Sequence, residues 1–74
     1  MLFGGVKQVV TIEGMKCMHC VAHATDALKS IKGVKSVNVN LEKKEAVIKS
    51  KDGIDPESIK KAISDVGYTV TDIK

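Results

Sequence analysis

From the amino terminus, apolar positions first repeat every second residue, then every third or fourth, and the two periods go on trading places along the chain. Between Val6 and Glu13, Val10 and Ile12 alternate with Thr11 and Glu13, which predicts a strand with one buried face. Gly14 ends it and allows a tight, unusual backbone. Val21, Ala24, Leu28 and Ile31 then recur at helical spacing, with Thr25, Asp26 and Lys29 outside. This predicts a helix from about Met18 to Lys32, capped by Gly33. Val37, Val39 and Leu41 alternate with Ser36, Asn38 and Asn40 in a second strand. The polar run Glu42–Glu45 turns the chain into a short strand, Ala46-Val47-Ile48, which Lys51-Asp52-Gly53 breaks. Asp55-Pro56-Glu57 has the marks of a helix start: an acceptor at the N-cap, proline at the first helical position and an acid in the first turn. Ile59, Ala62, Ile63 and Val66 form the inward stripe of that helix, against Lys60, Lys61, Ser64 and Asp65 outside. Gly67 caps it. Tyr68 to Ile73 closes the chain as a strand in which Tyr68, Val70 and Asp72 alternate with Thr69, Thr71 and Ile73.

Strand-helix-strand, given twice, predicts an α+β fold: a ferredoxin-like βαββαβ sandwich, with two helices on one face of a four-stranded antiparallel sheet. The chain has 74 residues, enough for one small domain and above the ~40 residues below which disulfides or metals are usually needed. Residues 1–74 are expected to form a single domain, with 1–5 as a flexible tail because Gly4 and Gly5 adjoin. Phe3 and Tyr68 are the only aromatics, so the core must be aliphatic.

Charge narrows the function. The net charge is +3, and all 12 basic residues are lysine. Without arginine the chain lacks the bidentate fork of a phosphate or base reader, and its strands offer no aromatics for base stacking before Tyr68. No nucleic-acid partner is expected. No apolar run approaches the ~20 residues of a membrane span, so no membrane insertion is expected. The first residues lack the basic and apolar regions of a signal peptide, which points to a cytoplasmic protein with reduced thiols.

The candidate chemistry is concentrated at Gly14-Met15-Lys16-Cys17-Met18-His19-Cys20, between the first strand and the first helix. Cys17 and Cys20 are the only cysteines, and both histidines, His19 and His23, lie in or just beyond this stretch. Two thiolates at this spacing converge on one ion and select soft metals over hard ones. A helix N-terminus and the adjacent Lys16 charge both lower a thiol pKa. Alone, Cys-x-x-Cys serves metal sites, redox pairs and halves of zinc clusters. Here it resembles the Gly-Met-x-Cys-x-x-Cys signature of the heavy-metal-associated domain family. Gly33-Val34 and Gly67-Tyr68 also stand where that family has them, so the resemblance runs from about Val6 to Ile73.

The resemblance implies the same βαββαβ architecture and a soft ion held between Cys17 and Cys20. Cu(I) is the commonest cargo it implies, with Zn(II) and Hg(II) as alternatives. Cys-x-His-Cys is similar to the pattern of bacterial cytosolic copper chaperones. In the family, a residue at the position of Tyr68 stands beside the metal loop, so Tyr68 is either a partly buried aromatic at a strand start or a shield over the thiolates. Met15 is expected as a core filler beneath the loop, with a thioether ligand as the other reading. His19 is an exposed loop residue or an auxiliary ligand when metal bridges two copies. His23 follows it at i+4, which leaves open a four-ligand zinc site.

The expected function is metal binding and delivery by thiolate exchange, without catalysis. The implied partner is a copper-transporting P-type ATPase or its metal-binding domain, with a copper-responsive repressor as a further partner. Lys16, Lys29, Lys32, Lys60 and Lys61 are candidates for the docking face. The alternatives are an excised domain of a metal-transporting ATPase, a mercury- or zinc-binding relative, and a thiol–disulfide redox module. Pro56 is the only proline and sits at a helix start, so no cis-proline loop faces the thiols as a redox module would require. A chain opening at Met1 and ending just past the last strand fits a free-standing protein.

Overall fold

The computed structural model describes residues 5–74. The expected tail, 1–5, therefore lies outside the described residues except for Gly5, which is exposed. The elements are β1 (Val6–Glu13), α1 (Met18–Lys29), β2 (Val34–Asn40), β3 (Glu45–Ser50), α2 (Pro56–Asp65) and β4 (Thr69–Ile73). All strand pairs are antiparallel, in the sheet order β2-β3-β1-β4. The βαββαβ order and single sheet are those expected from the two hydrophobic periods.

Period-2 burial holds on the central strands. Val10 and Ile12 of β1, with Ala46 and Ile48 of β3, are fully buried on the helical side of the sheet. They meet Ala24 and Leu28 of α1 and Ile59 and Ile63 of α2, which are also fully buried. Met15 and Ile54 join this aliphatic core from the connecting segments. Each large side chain so buried stabilises the fold by roughly 1.5–3 kcal/mol.

The edge strands depart from strict alternation. On β4, Thr11 pairs with Asp72 but Ile12 pairs with Val70, leaving Thr71 as an extra residue. This bulge shifts the side-chain phase by one. Ile73 therefore packs on the core beside Val70, while Asp72 is exposed. The expected grouping of Asp72 with Tyr68 and Val70 is corrected. An equivalent shift at Lys35 on β2 puts Val34 on the core side with Val37 and Val39.

Three boundaries also differ. α1 stops at Lys29 rather than Lys32, because the Ile31 amide donates to Leu28, one residue short of helical register, at 3.2 Å. Gly33, at φ 99°, serves the next turn, where the Val34 amide reaches the Ile31 carbonyl at 3.2 Å. β3 extends beyond Ala46–Ile48 because Glu45 pairs with both Thr11 and Asn40, and Ser50 with Val6 and Val34. The turn is thus Leu41–Lys44, with the Lys43 amide donating to Asn40 Oδ1 at 3.0 Å. Finally, β4 opens at Thr69, because Tyr68 still belongs to the end of α2. Its amide donates to the Ile63 carbonyl at 3.1 Å, and the amide of Gly67, at φ 91°, donates to Ser64 at 3.0 Å. Those two bonds form the Schellman pattern.

One polar contact was not foreseen. Gln8 Nε2 donates to the Ile54 carbonyl at 3.0 Å, and the Ile54 amide donates to Gln8 Oε1 at 2.8 Å. This clamp fixes the segment entering α2 against β1. Gln8→Leu would leave both Ile54 groups unpaired, and a loss of about 1–3 kcal/mol in urea unfolding is expected.

Candidate metal centre

The loop between β1 and α1 is set by one buried side chain and one glycine. Met15 is 5% exposed and sits in the core, while Gly14, Lys16, Cys17, Met18 and His19 around it are exposed. The segment is thus pinned at its middle and displayed at its ends. Gly14 has φ 103°, a region that L side chains avoid. A Cβ there would lie 3.3 Å from Tyr68 Cδ1, so the Tyr68 ring packs directly over this turn.

Cys17 is the N-cap of α1, with an extended backbone (φ −156°, ψ 174°), and its side chain makes no capping bond. Its carbonyl instead accepts from the amides of Cys20 (3.0 Å) and Val21 (3.2 Å). This tight first turn folds Cys20, third in the helix, back over Cys17. The two Sγ atoms stand 3.7 Å apart. That is well beyond the ~2.05 Å of a disulfide, and both cysteines are free. It is also within the span that two metal–sulfur bonds of about 2.3 Å can bridge.

Cys20 is half-buried and Cys17 exposed. The Cys20 thiol is lowered from its ordinary 9.0 to about 7. The largest cause is the backbone amide of Lys16, followed by the Tyr68 hydroxyl, the Cys17 amide and the Cys17 thiol, against an opposing effect of burial. Lys16 was expected to act through its ammonium, but it is the backbone N–H that serves. No pattern in the sequence announces that amide. Tyr68 shows the reciprocal effect: its pKa is raised because its hydroxyl proton is held by Cys20, with burial and both cysteine charges adding.

His19 and His23 are both exposed on α1. Among the described residues no three His, Cys, Asp or Glu side chains come close enough to share a metal, so Cys17, Cys20, His19 and His23 are not assembled into a four-ligand site. Met18, beside the cysteines, is 68% exposed. Of the five lysines expected at the docking face, Lys61 lines a hollow with Ala27 and Ser30 near the end of α1. Lys16 adjoins Cys17, whereas Lys29 ends α1, ~16 Å along the helix from Met18. Lys32 lies beyond it, and Lys60 pairs with Glu57 on α2 at 3.7 Å.

The profile of the heavy-metal-associated domain family matches residues 9–69. The chain belongs to the heavy-metal-associated domain family. It is 41% identical over 64 residues to the copper chaperone CopZ of Enterococcus hirae, a match covering 85% of this chain and 93% of that protein. A 40% match over 68 residues to the probable copper-exporting P-type ATPase of Archaeoglobus fulgidus covers 90% of this chain but 8% of the ATPase. A solved CopZ metallochaperone superposes with a TM-score of 0.83 at 36% identity, covering 89% of this chain and 100% of the other. The fold of the heavy-metal-associated domain is therefore shared over nearly its whole length.

Three outcomes follow from the site. Tyr68→Phe removes one of the donors to Cys20, so its pKa should rise from about 7 toward the ordinary thiol range, read as thiolate absorbance during a pH titration. The depressed value also sets a stability window. The contribution is complete above 9.0, declines as pH falls, and is gone below about 7. Urea unfolding of the reduced, metal-free domain should show this window, and Cys20→Ser should flatten it. Gly14→Ala, forced to positive φ against Tyr68, should cost about 1–2 kcal/mol.

Proposed function

We propose that this heavy-metal-associated domain binds and hands on a soft metal ion, Cu(I) before others, through Cys17 and Cys20, without catalysing a reaction. The observation that supports this most directly is the free thiol pair 3.7 Å apart at the start of α1. One of its members is already acidic near pH 7. A thiolate pair suits Cu(I), whose filled d shell makes no demand for four ligands, whereas Zn(II) normally takes four. Binding releases the thiol protons, so an acidic Cys20 lowers the proton cost of loading at neutral pH.

Delivery follows from the unequal exposure of the two sulfurs. Exposed Cys17 is open to an incoming thiolate, while half-buried Cys20 keeps hold. A partner thiolate forms a third bond to the ion, the Cys17 bond breaks, and a second partner thiolate then displaces Cys20. No electron moves, and the number of metal–sulfur bonds is the same at the end. The partner we propose is the metal-binding region of a copper-transporting P-type ATPase, in keeping with the short ATPase segment this chain matches. A cytoplasmic location belongs to this reading, and a copper-responsive repressor would be served by the same exchange. Among the described residues no helix is long and apolar enough to cross a membrane.

The test is an anaerobic competition titration of the reduced protein with Cu(I) against a colorimetric chelator, with Zn(II) in parallel. Cu(I) should resist the chelator and Zn(II) should bind much more weakly. Cys17→Ser and Cys20→Ser should each lose more than about 100-fold in Cu(I) affinity, beyond what loss of an outer-shell partner costs, while remaining folded. Chelator-resistant copper in either single variant would overturn the two-thiolate site, and equal or tighter zinc would overturn the choice of copper.

A further inference from the structure

The sheet face turned away from the helices carries a charge pattern that the metal site does not use. Lys7 of β1 lies directly opposite Lys49 of β3, and Lys49 in turn lies opposite Ser36 of β2. Like charges directly opposed across strands are destabilising. The only ion pair among the described residues is Lys60–Glu57, so neither lysine is neutralised by a carboxylate. Lysine on an edge strand is a common guard against edge-to-edge pairing, but β1 and β3 are the two central strands. That guard is not needed there.

More basic groups gather at the same place. Two clefts, of 380 and 470 Å³, share Lys7, Ser36 and Lys49. The first is also lined by Lys35, left unpaired at the β2 bulge, and the second by Val47. Lys74 exchanges both backbone hydrogen bonds with Val9, at 3.1 and 2.8 Å, which places it on the same outer face. Val9 and Val47 oppose each other next to the Lys7–Lys49 pair and are half-buried, and beyond them Thr11 lies opposite Glu45 and Asp72, so the basic groups are gathered at one end of the face. A half-buried apolar pair bordered by a group of lysines at that end has the make-up of a protein-binding patch. β1 runs from this patch to the cysteine loop, so the two lie at opposite ends of the strand, ~20 Å apart at strand rise.

We infer that this face docks an extended acidic segment of a partner protein, whose carboxylates enter the clefts and pair with Lys7, Lys35 and Lys49. The lysines line concave clefts, which side-chain carboxylates can enter and a planar headgroup surface cannot. The face offers neither a guanidinium fork nor an aromatic ring to a nucleic acid. The attraction is long-ranged and screened by salt. It requires no metal, so its test is separate from that of the cysteine pair.

The experiment titrates the reduced, metal-free protein with a hexaglutamate peptide and follows backbone amide shifts. Phosphatidylserine vesicles and a single-stranded oligonucleotide run in parallel. Shifts should concentrate at Lys7, Val9, Ser36, Lys49 and their neighbours, leave Cys17 and Cys20 in place, and weaken with added salt. K7E/K49E should bind hexaglutamate at least about tenfold more weakly and gain affinity for hexalysine. K49E alone should raise Tm, because it converts the opposed lysines into an opposite-charge pair. Shifts spread evenly over all the lysines, unchanged binding by K7E/K49E, a K49E variant that is no more stable, or preference for the vesicles or oligonucleotide would each overturn the inference.

Discussion

Met15 is driven out of water in the middle of a segment whose other members stay in it, and the candidate site depends on that one burial. A thioether side chain sunk into the core fixes the height of the loop. With the loop so held, the Lys16 amide is turned toward the Cys20 sulfur, and Cys17 is left at the surface as the cap of α1. Gly14 supplies the backbone reversal that lets Met15 turn inward directly after an exposed strand end, and Tyr68 closes over it. The chemistry at the cysteines is thus a product of packing beneath them. Neither a lone Cys-x-x-Cys nor a helix terminus would arrange the same donors.

The division between exposed Cys17 and half-buried Cys20 has a counterpart in the surrounding polarity. The hydrogen bonds that favour the charged form reach Cys20, partly sheltered beside Tyr68, where a donor is worth more than in open water. Cys17 meets solvent. A site for an ion that must be both held and released needs such an asymmetry, with one sulfur for retention and one for approach. The same small domain supplies both by placing one cysteine at the N-cap and the other one turn inside.

Most of the fold was legible because its core is aliphatic and regularly spaced. Ile59 and Ile63 on α2 and Val10 and Ile12 on β1 follow helical and strand periods without interruption, and they are buried as those periods require. Reading failed on β4, where one residue is inserted into the ladder, whereas on β2 Val37, Val39 and Leu41 alternate as expected beyond the inserted residue. The bulges at Lys35 and Thr71 change which face follows. Their trace was present: Val34 and Val37, and again Val70 and Ile73, are three apart within otherwise alternating strands. At the candidate site, the cysteines stood out by residue type and spacing. The contribution of the Lys16 amide could not be seen, since every residue but proline carries the same N–H. The Gln8–Ile54 clamp was equally hidden, because it joins a side chain to backbone groups far along the chain.

The contact between Tyr68 and Cys20 has a consequence for the newly made chain. The cysteines stand near the amino end, whereas the hydroxyl that helps acidify one of them sits just before the final strand. The Lys16 amide, too, is oriented only when Met15 has a core to enter, and that core is completed by α2. Until the carboxyl-terminal part has docked, Cys20 keeps the acidity of an ordinary thiol and stays mostly protonated at neutral pH. Soft-metal capture and oxidation both favour the thiolate. The thiol therefore becomes reactive as folding finishes, and the chain is comparatively inert while it is still being built.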